Sequence, residues 1–439
     1  ILGMLVELYS NDESQYPKAI ATLDRMEQLD GMSERISYAK AEFYQKMGNG
    51  KAAIAEMKKL ADQYPNDLNY RSAYADMLLM NNNEKKAIDI YRGILREEPG
   101  NSKVLFSMRT YFKGQGNMVA ADSMTVNILT ASNANTDEKI YLLRQEVMDN
   151  ENSGSDSTKI IRLFERTINT KDSDPSIGLL YASYMELKNM PKADINRVLE
   201  DVLKKAPDNA AARLQLIADA WEKKDFGRVV TLCSAARQYN PDEMAFYYYQ
   251  GAALSQQDQT DEALDTFKNG ISVINEQSSP DIVSDFYSIM GDLLHEKGEK
   301  QQAFAAYDSC LQWKPDNLMC LNNYAYYLSE SGGNLIKAEE MSYKTIKAEP
   351  QNATYLDTYA WILFRQERYA EAKIYINQTL QCDSDSSAVI VEHAGDIYAK
   401  CGDIDKAVEL WTAALKKSPD NELLARKTRQ RKYIRDNKK

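Results

Sequence analysis

The stretch VEHAGDIYAKCGDIDKAVELWTAALKKSP, residues 391–419, determines the predicted fold class of this 439-residue chain. Apolar residues recur at helical spacing in both halves, so each half predicts a helix with one apolar stripe. The first stripe consists of Val391, Ala394, Gly395 and Tyr398, and the second of Ala407, Trp411 and Ala414. Gly402 and Asp403, between the halves, favour the end of one helix and the start of the next. The stretch therefore predicts a helical hairpin, whose small residues allow a close approach of its helices.

Prolines show that this hairpin repeats along the chain. Seven of the eleven prolines recur at regular distances in one context, with an Asn, Asp or Gly within the next two residues that favours a turn and a new helix start. These are Pro65, Pro99, Pro207, Pro241, Pro315, Pro350 and Pro419. Pro65 and Pro99 lie 34 residues apart, Pro315 and Pro350 lie 35 apart, and the other distances are near multiples of this period. One hairpin of about 34 residues therefore repeats through the chain.

A helical-hairpin period of this length, with small and aromatic residues at set positions before a closing proline, resembles the tetratricopeptide repeat. The resemblance is clearest in the last five units, where residues of the expected types occupy the packing positions of the family. Examples are Gly251, Ala263 and Phe267, followed by Gly291, Ala303 and Tyr307. The resemblance implies an all-α fold, a right-handed superhelical solenoid of about twelve tetratricopeptide-like helical hairpins followed by a C-terminal helix.

The repeat pattern also predicts the domain organisation. Residues 1–148 are expected to form an N-terminal array of about four to five repeats, the first one truncated, and residues 175–421 a C-terminal array. Between them, residues 149–174 form an irregular repeat and possible hinge, because DNENSGSDST at 149–158 reads as a lengthened polar turn. Residues 422–439 are rich in Lys and Arg and are predicted to form a basic C-terminal capping helix or tail.

The resemblance implies that the first helix of each hairpin lines a concave groove that binds extended peptides or helices. Counting from the prolines, we predict which residues of these helices face the groove. The candidates are Asp285, Asp292, His295, Asn322, Tyr326, Asp357, Trp361, Phe364, Glu392 and Asp396. They make the C-terminal part of the groove aromatic with an acidic surround. The alternative is that Tyr326 and Trp361 merely cover gaps between repeats, since aromatics at helical spacing commonly belong to the core.

This groove predicts a protein or peptide partner with apolar and basic side chains. One subset of the family clamps a peptide carboxylate with cationic and amide side chains. Asn322 fits that pattern, but Asp357, Glu392 and Asp396 would repel a carboxylate. A net charge of −11 also disfavours nucleic acid as a partner. The sequence does not specify an oligomeric state.

The sequence predicts no enzyme, no cofactor and no metal site. The five cysteines form no C-x-x-C pair, and the two histidines, His295 and His393, lie in different hairpins. Each histidine is expected to be a solvated or partly packed helix residue. The chain is therefore predicted to be a non-catalytic protein–protein interaction scaffold. The alternatives are a structural component of a cell-envelope assembly, acting through self-association or multi-subunit contacts, and a ligand-binding module.

Two longer blocks point to a compartment. LNNYAYYLSESGGNLIKAEEM at 321–341 and YLDTYAWILFRQERYAEAKIY at 355–375 resemble envelope-associated tetratricopeptide proteins of the Bacteroidetes group. The chain begins at Ile1 inside a helical pattern, and no apolar run is long enough for a transmembrane segment. We therefore expect a signal in upstream sequence and the periplasmic side of the cell envelope as the location, with the cytoplasm as the alternative.

Overall fold

The computed structural model describes residues 1–382 and 386–435, and within these ranges the secondary structure is entirely helical. The all-α prediction is therefore confirmed. The chain divides into two compact units, Ile1–Ala206 and Pro207–Lys439. Across the described residues, twenty-four α-helices pair into twelve consecutive hairpins, and a twenty-fifth helix follows. No helix in these ranges is both long and apolar enough to cross a membrane.

The first unit contains six hairpins and a short 3-10 turn at Glu13–Gln15. Its helices are α1 Leu2–Ser10, α2 Tyr16–Asp30, α3 Glu34–Lys46, α4 Gly50–Gln63, α5 Leu68–Met80, α6 Glu84–Glu97, α7 Ser102–Gly114, α8 Met118–Thr130, α9 Thr136–Ser153, α10 Thr158–Ile168, α11 Pro175–Leu187 and α12 Lys192–Lys205. The predicted lengthened turn at 149–158 is shorter than expected, because α9 continues to Ser153 and ends at Gly154, which has a left-handed φ of 62°.

A buried ion network holds this irregular fifth hairpin within the first unit. Arg109 on α7 donates to Glu146 on α9 at 2.6 Å, and the Lys159 amine on α10 lies 3.2 Å from the same carboxylate. Arg109 and Glu146 are both buried. Removing one partner of a buried pair leaves an uncompensated charge, so the network ties three helices together. The boundary between the compact units lies after Ala206, and the hinge at 149–174 stays a prediction.

The second unit contains the other six hairpins and the final helix. Its helices are α13 Ala210–Glu222, α14 Phe226–Ala236, α15 Met244–Gln256, α16 Thr260–Ser272, α17 Pro280–Glu296, α18 Lys300–Trp313, α19 Leu318–Glu330, α20 Leu335–Ala348, α21 Ala353–Arg365, α22 Tyr369–Cys382, α23 Ala388–Lys400, α24 Ile404–Lys417 and α25 Glu422–Gln430. Asparagine, aspartate or serine caps many of them, as Asn352 caps α21 and Ser387 caps α23.

Close helix packing within a hairpin depends on small residues. A Cβ atom on Gly395 of α23 would lie 2.4 Å from Cδ1 of Trp411 on α24, so any larger residue would push the helices apart. Gly291 and Tyr307 form the equivalent contact between α17 and α18. Within each unit, consecutive hairpins contact one another, and the first helices α17, α19, α21 and α23 of the second unit contact one another in sequence. These first helices therefore form one continuous layer, which carries all ten predicted site residues.

Candidate functional site

The C-terminal end of the second unit contains a cavity of about 430 Å³. We call it the C-terminal pocket. Its walls come from α19, α21, α23, α25 and the residues after α25. Four predicted site residues line it, namely Tyr326, Trp361, Glu392 and Asp396. The other lining residues are Glu330, Ser331, Gly332, Arg365, Val389, His393, Asn421, Leu423, Lys427, Tyr433, Ile434 and Arg435.

A stack of aromatic rings forms one wall of the pocket. The Trp361 ring lies between His393, at 3.9 Å between ring centroids, and Phe364, at 4.7 Å. Both predicted anchors, Trp361 and Phe364, are buried, and Phe364 lies outside the lining because its ring also packs against Tyr369 and Tyr433. The aromatic side chain with more exposure to the pocket is Tyr326, which is half-buried.

Asp357 and His393 form a buried pair behind this wall. The His393 Nδ1 atom lies 3.0 and 3.1 Å from the two Asp357 carboxylate oxygens. Burial by itself lowers the pKa of His393, but the charge and hydrogen bond of Asp357 together with the charges of Asp396 and Glu330 outweigh it, so the pKa is raised. Asp357 therefore does not project freely into the groove, and His393 is a buried, ion-paired residue rather than the solvated or partly packed one that the sequence predicts.

The basic C-terminal helix supplies the cation of the pocket. The Lys427 amine on α25 lies 2.7 Å from Oε1 of Glu392 and 2.7 Å from Oδ2 of Asp396. Asp396 also accepts a hydrogen bond from Nε1 of Trp411 at 2.9 Å. Burial raises the pKa of Asp396 to about 6 even though Lys427 opposes the shift. Two of the predicted groove carboxylates are thus paired with a cation of the same chain.

A second ion pair, between Arg365 and Glu330, also lines the pocket. Arg365 donates to Oε1 of Glu330 at 2.7 Å, and Nε1 of Trp361 donates to the same oxygen at 2.8 Å. The ten site residues predicted from the sequence do not include Glu330, Arg365, His393 or Lys427. The repeat period could have identified these pairs in the sequence, because Asp357 and His393 are 36 residues apart and Glu392 and Lys427 are 35 apart. Residues one period apart occupy matching positions on neighbouring first helices.

Tyr326 differs from the other polar residues of the pocket. Its hydroxyl makes no hydrogen bond to any residue within 1–382 or 386–435. Burial raises the pKa of Tyr326, and the carboxylates of Glu330, Asp357 and Glu392 raise it further. The electrostatic potential at this hydroxyl is therefore negative. The hydroxyl is a donor that a bound group could engage.

The remaining predicted residues lie on α17 and α19, outside the pocket. We call this area the α17–α19 surface, and its residues are Asp285, Asp292, His295, Asn322, Asn323 and Tyr327. Asp292 accepts hydrogen bonds from the Tyr307 hydroxyl at 2.5 Å and the Asn323 amide at 3.1 Å, and Asp285 accepts from Asn317 at 3.2 Å. The His295 ring stacks on Tyr327 at 3.7 Å, and Asn322 is buried.

The carboxylates of this surface have neutral partners. Among the described residues, no Lys or Arg nitrogen lies within ion-pair distance of Asp285 or Asp292, although the charge of Lys314 acts on Asp285. Burial raises the pKa of both groups, and the hydrogen bonds from Asn317 to Asp285 and from Tyr307 to Asp292 only partly oppose it.

Comparison with known proteins places repeats in both units. Residues 11–77 and 284–317 match models described as Tetratricopeptide repeat. A TPR repeat-containing protein of Pseudomonas aeruginosa is 28% identical over 169 residues, a match that spans 37% of this chain and only 26% of the relative.

Solved structures of low sequence identity are also similar. One is the APC/C hetero-tetramer Cut9-Hcn1, with 14% identity and a TM-score of 0.43 over 97% of this chain and 89% of that chain. Another is a tetratricopeptide repeat protein from Parabacteroides merdae, with 13% identity and a TM-score of 0.43 over 59% of this chain and 98% of that chain. On the family matches, this chain contains tetratricopeptide repeats, which are typically non-enzymatic protein-interaction modules.

Proposed function

We propose that the protein is a non-catalytic scaffold, and that the first-helix layer of its second unit binds a segment of a partner protein. The observation that carries this proposal is the C-terminal pocket with Tyr326 at its wall. Its volume of about 430 Å³ falls in the range of roughly 300–1,000 Å³ that is typical of ligand sites. An aromatic ring with an unused hydroxyl suits a partner that brings both apolar surface and a hydrogen-bond acceptor.

The α17–α19 surface supports a partner with basic side chains. Within the described part of the chain, neither Asp285 nor Asp292 forms an ion pair with a Lys or Arg, because Lys314, the cation that acts on Asp285, pairs with Asp281. A lysine or arginine of a bound segment would form a charge-assisted hydrogen bond with either carboxylate, and this kind of bond is stronger than one between neutral groups. The pocket would then hold the apolar part of the segment, and the α17–α19 surface its basic part.

Site-specific photo-crosslinking tests the proposal. We would place p-benzoylphenylalanine at position 326 in one variant and at position 343 in a control variant. Tyr343 lies on α20, a second helix, and is exposed. In the cells that make the protein, position 326 should crosslink to one defined segment of another protein, and position 343 should not. Equal crosslinking from both positions, or from position 343 alone, would contradict the proposal.

A further inference from the structure

The helix α25 ends beside the C-terminal pocket, and residues that follow it line this pocket. The helix ends at Gln430, and Arg431 adopts a left-handed conformation with φ 51° and ψ 41°. A non-glycine residue in this region is uncommon and breaks a helix sharply. The next residues, Tyr433, Ile434 and Arg435, are not helical and line the same cavity as Tyr326 and Trp361. We call Tyr433–Arg435 the return segment.

Few contacts hold the return segment. The Tyr433 ring packs edge-on against Phe364, with 5.5 Å between the ring centroids. The amines of Lys400 and Lys427 lie 5.0 and 5.5 Å from the centroid of the Tyr433 ring. Within the described ranges, residues 432–435 make no hydrogen bond and no ion pair. A cation–π contact contributes about 0.5–1 kcal/mol at an exposed site and about 2 kcal/mol where the cation is desolvated, as Lys427 is, and the Tyr433 ring also packs on the apolar core, so this ring is the main anchor of the segment.

The charges of the pocket divide between the repeats and the C-terminal residues. The repeats contribute three carboxylates to the lining, Glu330, Glu392 and Asp396, against one guanidinium, Arg365. The other two cations, Lys427 and Arg435, come from α25 and the return segment. The repeats therefore build an acidic, aromatic pocket, and the C-terminal residues bring basic and apolar groups to it. This is the chemistry that a bound peptide would supply.

We propose that the return segment is an internal ligand of the C-terminal pocket, and that a partner segment with the same order of side chains displaces it. That order is an aromatic residue, an aliphatic residue and a basic residue. The inference rests on the proposed function and names the chemistry of the partner. The turn at Arg431 positions the internal ligand. Because ring contacts of Tyr433 hold this segment, a partner segment with an aromatic side chain can replace it.

The expected size of the competition follows from the tether. A short flexible connection gives an effective concentration on the order of 1 mM. Against a peptide that binds the open pocket with a Kd of about 100 μM, this internal ligand weakens the apparent affinity about tenfold. Replacing Tyr433 with alanine should restore most of this tenfold loss of apparent affinity for the peptide. The effect is large enough to measure by fluorescence anisotropy.

The test uses the full chain and a fluorescently labelled, C-terminally amidated peptide of sequence RKYIR, which corresponds to residues 431–435. Tyr433→Ala should bind the peptide about tenfold more tightly than the wild type. Lys432→Ala is the matched control, because Lys432 is exposed and does not line the pocket, and it should behave as the wild type. A peptide with alanine in place of its tyrosine should bind at least tenfold more weakly to Tyr433→Ala, because it lacks the ring that packs against Phe364.

Equal affinity of RKYIR for wild type and Tyr433→Ala would overturn the inference, and so would an absence of binding to both. Circular dichroism and thermal melting would verify that Tyr433→Ala folds as the wild type does. Crosslinking and peptide binding together distinguish a failure of this inference from a failure of the proposed function. Crosslinking of a partner at position 326 without any peptide binding would refute the internal ligand alone, whereas peptide binding without a crosslinked partner would refute the proposed function alone.

Discussion

The C-terminal pocket and the α17–α19 surface both contain carboxylates on first helices, but different groups compensate the charge of these carboxylates in the two regions. In the pocket, Glu392 and Asp396 share the buried amine of Lys427 at 2.7 Å. On the α17–α19 surface, Asp285 and Asp292 accept hydrogen bonds from amide and hydroxyl donors and form no ion pair with a Lys or Arg among the described residues. The pocket thus supplies its own cation, whereas the surface does not.

The difference shows which carboxylates serve stability and which can serve binding. A fully buried carboxylate loses its hydration and needs a cation or several donors to remain charged. Asp396 is 2% exposed and has both a cation and the Trp411 donor, while Asp292 is only half-buried and has neutral donors. We therefore expect changes at the pocket to affect folding, and changes at the α17–α19 surface to affect partner binding.

The largest effect is expected when the pocket loses its cation. Lys427→Met removes the amine that pairs with Glu392 and Asp396 and leaves two carboxylates uncompensated, one of them fully buried. Breaking a buried ion pair in this way lowers the free energy of unfolding by about 3–5 kcal/mol. Urea unfolding at pH 7, followed by circular dichroism, measures it. Lys432→Met is the control and should leave the free energy of unfolding unchanged, and a similar loss in both variants would refute the pairing.

The pH dependence of stability gives the next largest effect. The folded-state pKa of Asp396 is about 6, above its usual value of 3.8, because burial disfavours the charged carboxylate. A raised pKa contributes stability that is fully present below pH 3.8 and is lost as the pH rises through 6. The free energy of unfolding of the wild type, minus that of Asp396→Asn, should therefore fall by about 3 kcal/mol between pH 3.5 and 7.

Urea unfolding of both proteins at each pH provides this difference. Other titrating groups are common to the two proteins and largely cancel, so the comparison isolates Asp396. A difference that rises with pH would mean that the Lys427 ion pair outweighs burial, and that the pKa of Asp396 is lowered. That result would reverse the assignment of burial as the dominant cause.

The smallest effect is expected on the α17–α19 surface. Asp292→Asn keeps an oxygen that can accept from the Tyr307 hydroxyl and removes a charge that forms no ion pair with a Lys or Arg within 1–382 and 386–435. The free energy of unfolding at pH 7 should change by less than about 1 kcal/mol, since one neutral hydrogen bond has about that value. If Asp292→Asn lowered the free energy of unfolding as much as Lys427→Met does, the carboxylates of the two regions would not differ in their contribution to stability.

The sequence predicts the fold well because the fold is periodic. The proline spacing predicts twelve hairpins, and contacts such as Gly395 with Trp411 follow from positions within one hairpin. The first-helix pattern also brings Tyr326, Trp361, Glu392 and Asp396 to one pocket. Local spacing therefore contains most of the information about the fold and part of the information about the site.

The ion pairs and the return segment were not predicted, for two physical reasons. Lys427 meets Glu392 across 35 residues, and Glu330 meets Arg365 across 35, so these pairs depend on the stacking of neighbouring repeats. The return segment is three non-helical residues that make no hydrogen bond within the described ranges, so it has no period and no capping signal. The sequence shows that residues 422–439 are basic, but it does not show that Lys427 and Arg435 line the pocket.

The most direct test of the central claim is the affinity of the RKYIR peptide for Tyr433→Ala with and without a second substitution, Tyr326→Ala. Tyr326 is half-buried and its hydroxyl is unpaired in the described chain, so its removal should change the pocket without unfolding the unit. If the pocket binds an aromatic and basic segment, the peptide should bind Tyr433→Ala and lose at least about tenfold in affinity in the double variant, consistent with loss of an aromatic contact. Equal affinity for the two proteins would contradict the assignment of the C-terminal pocket as the binding site.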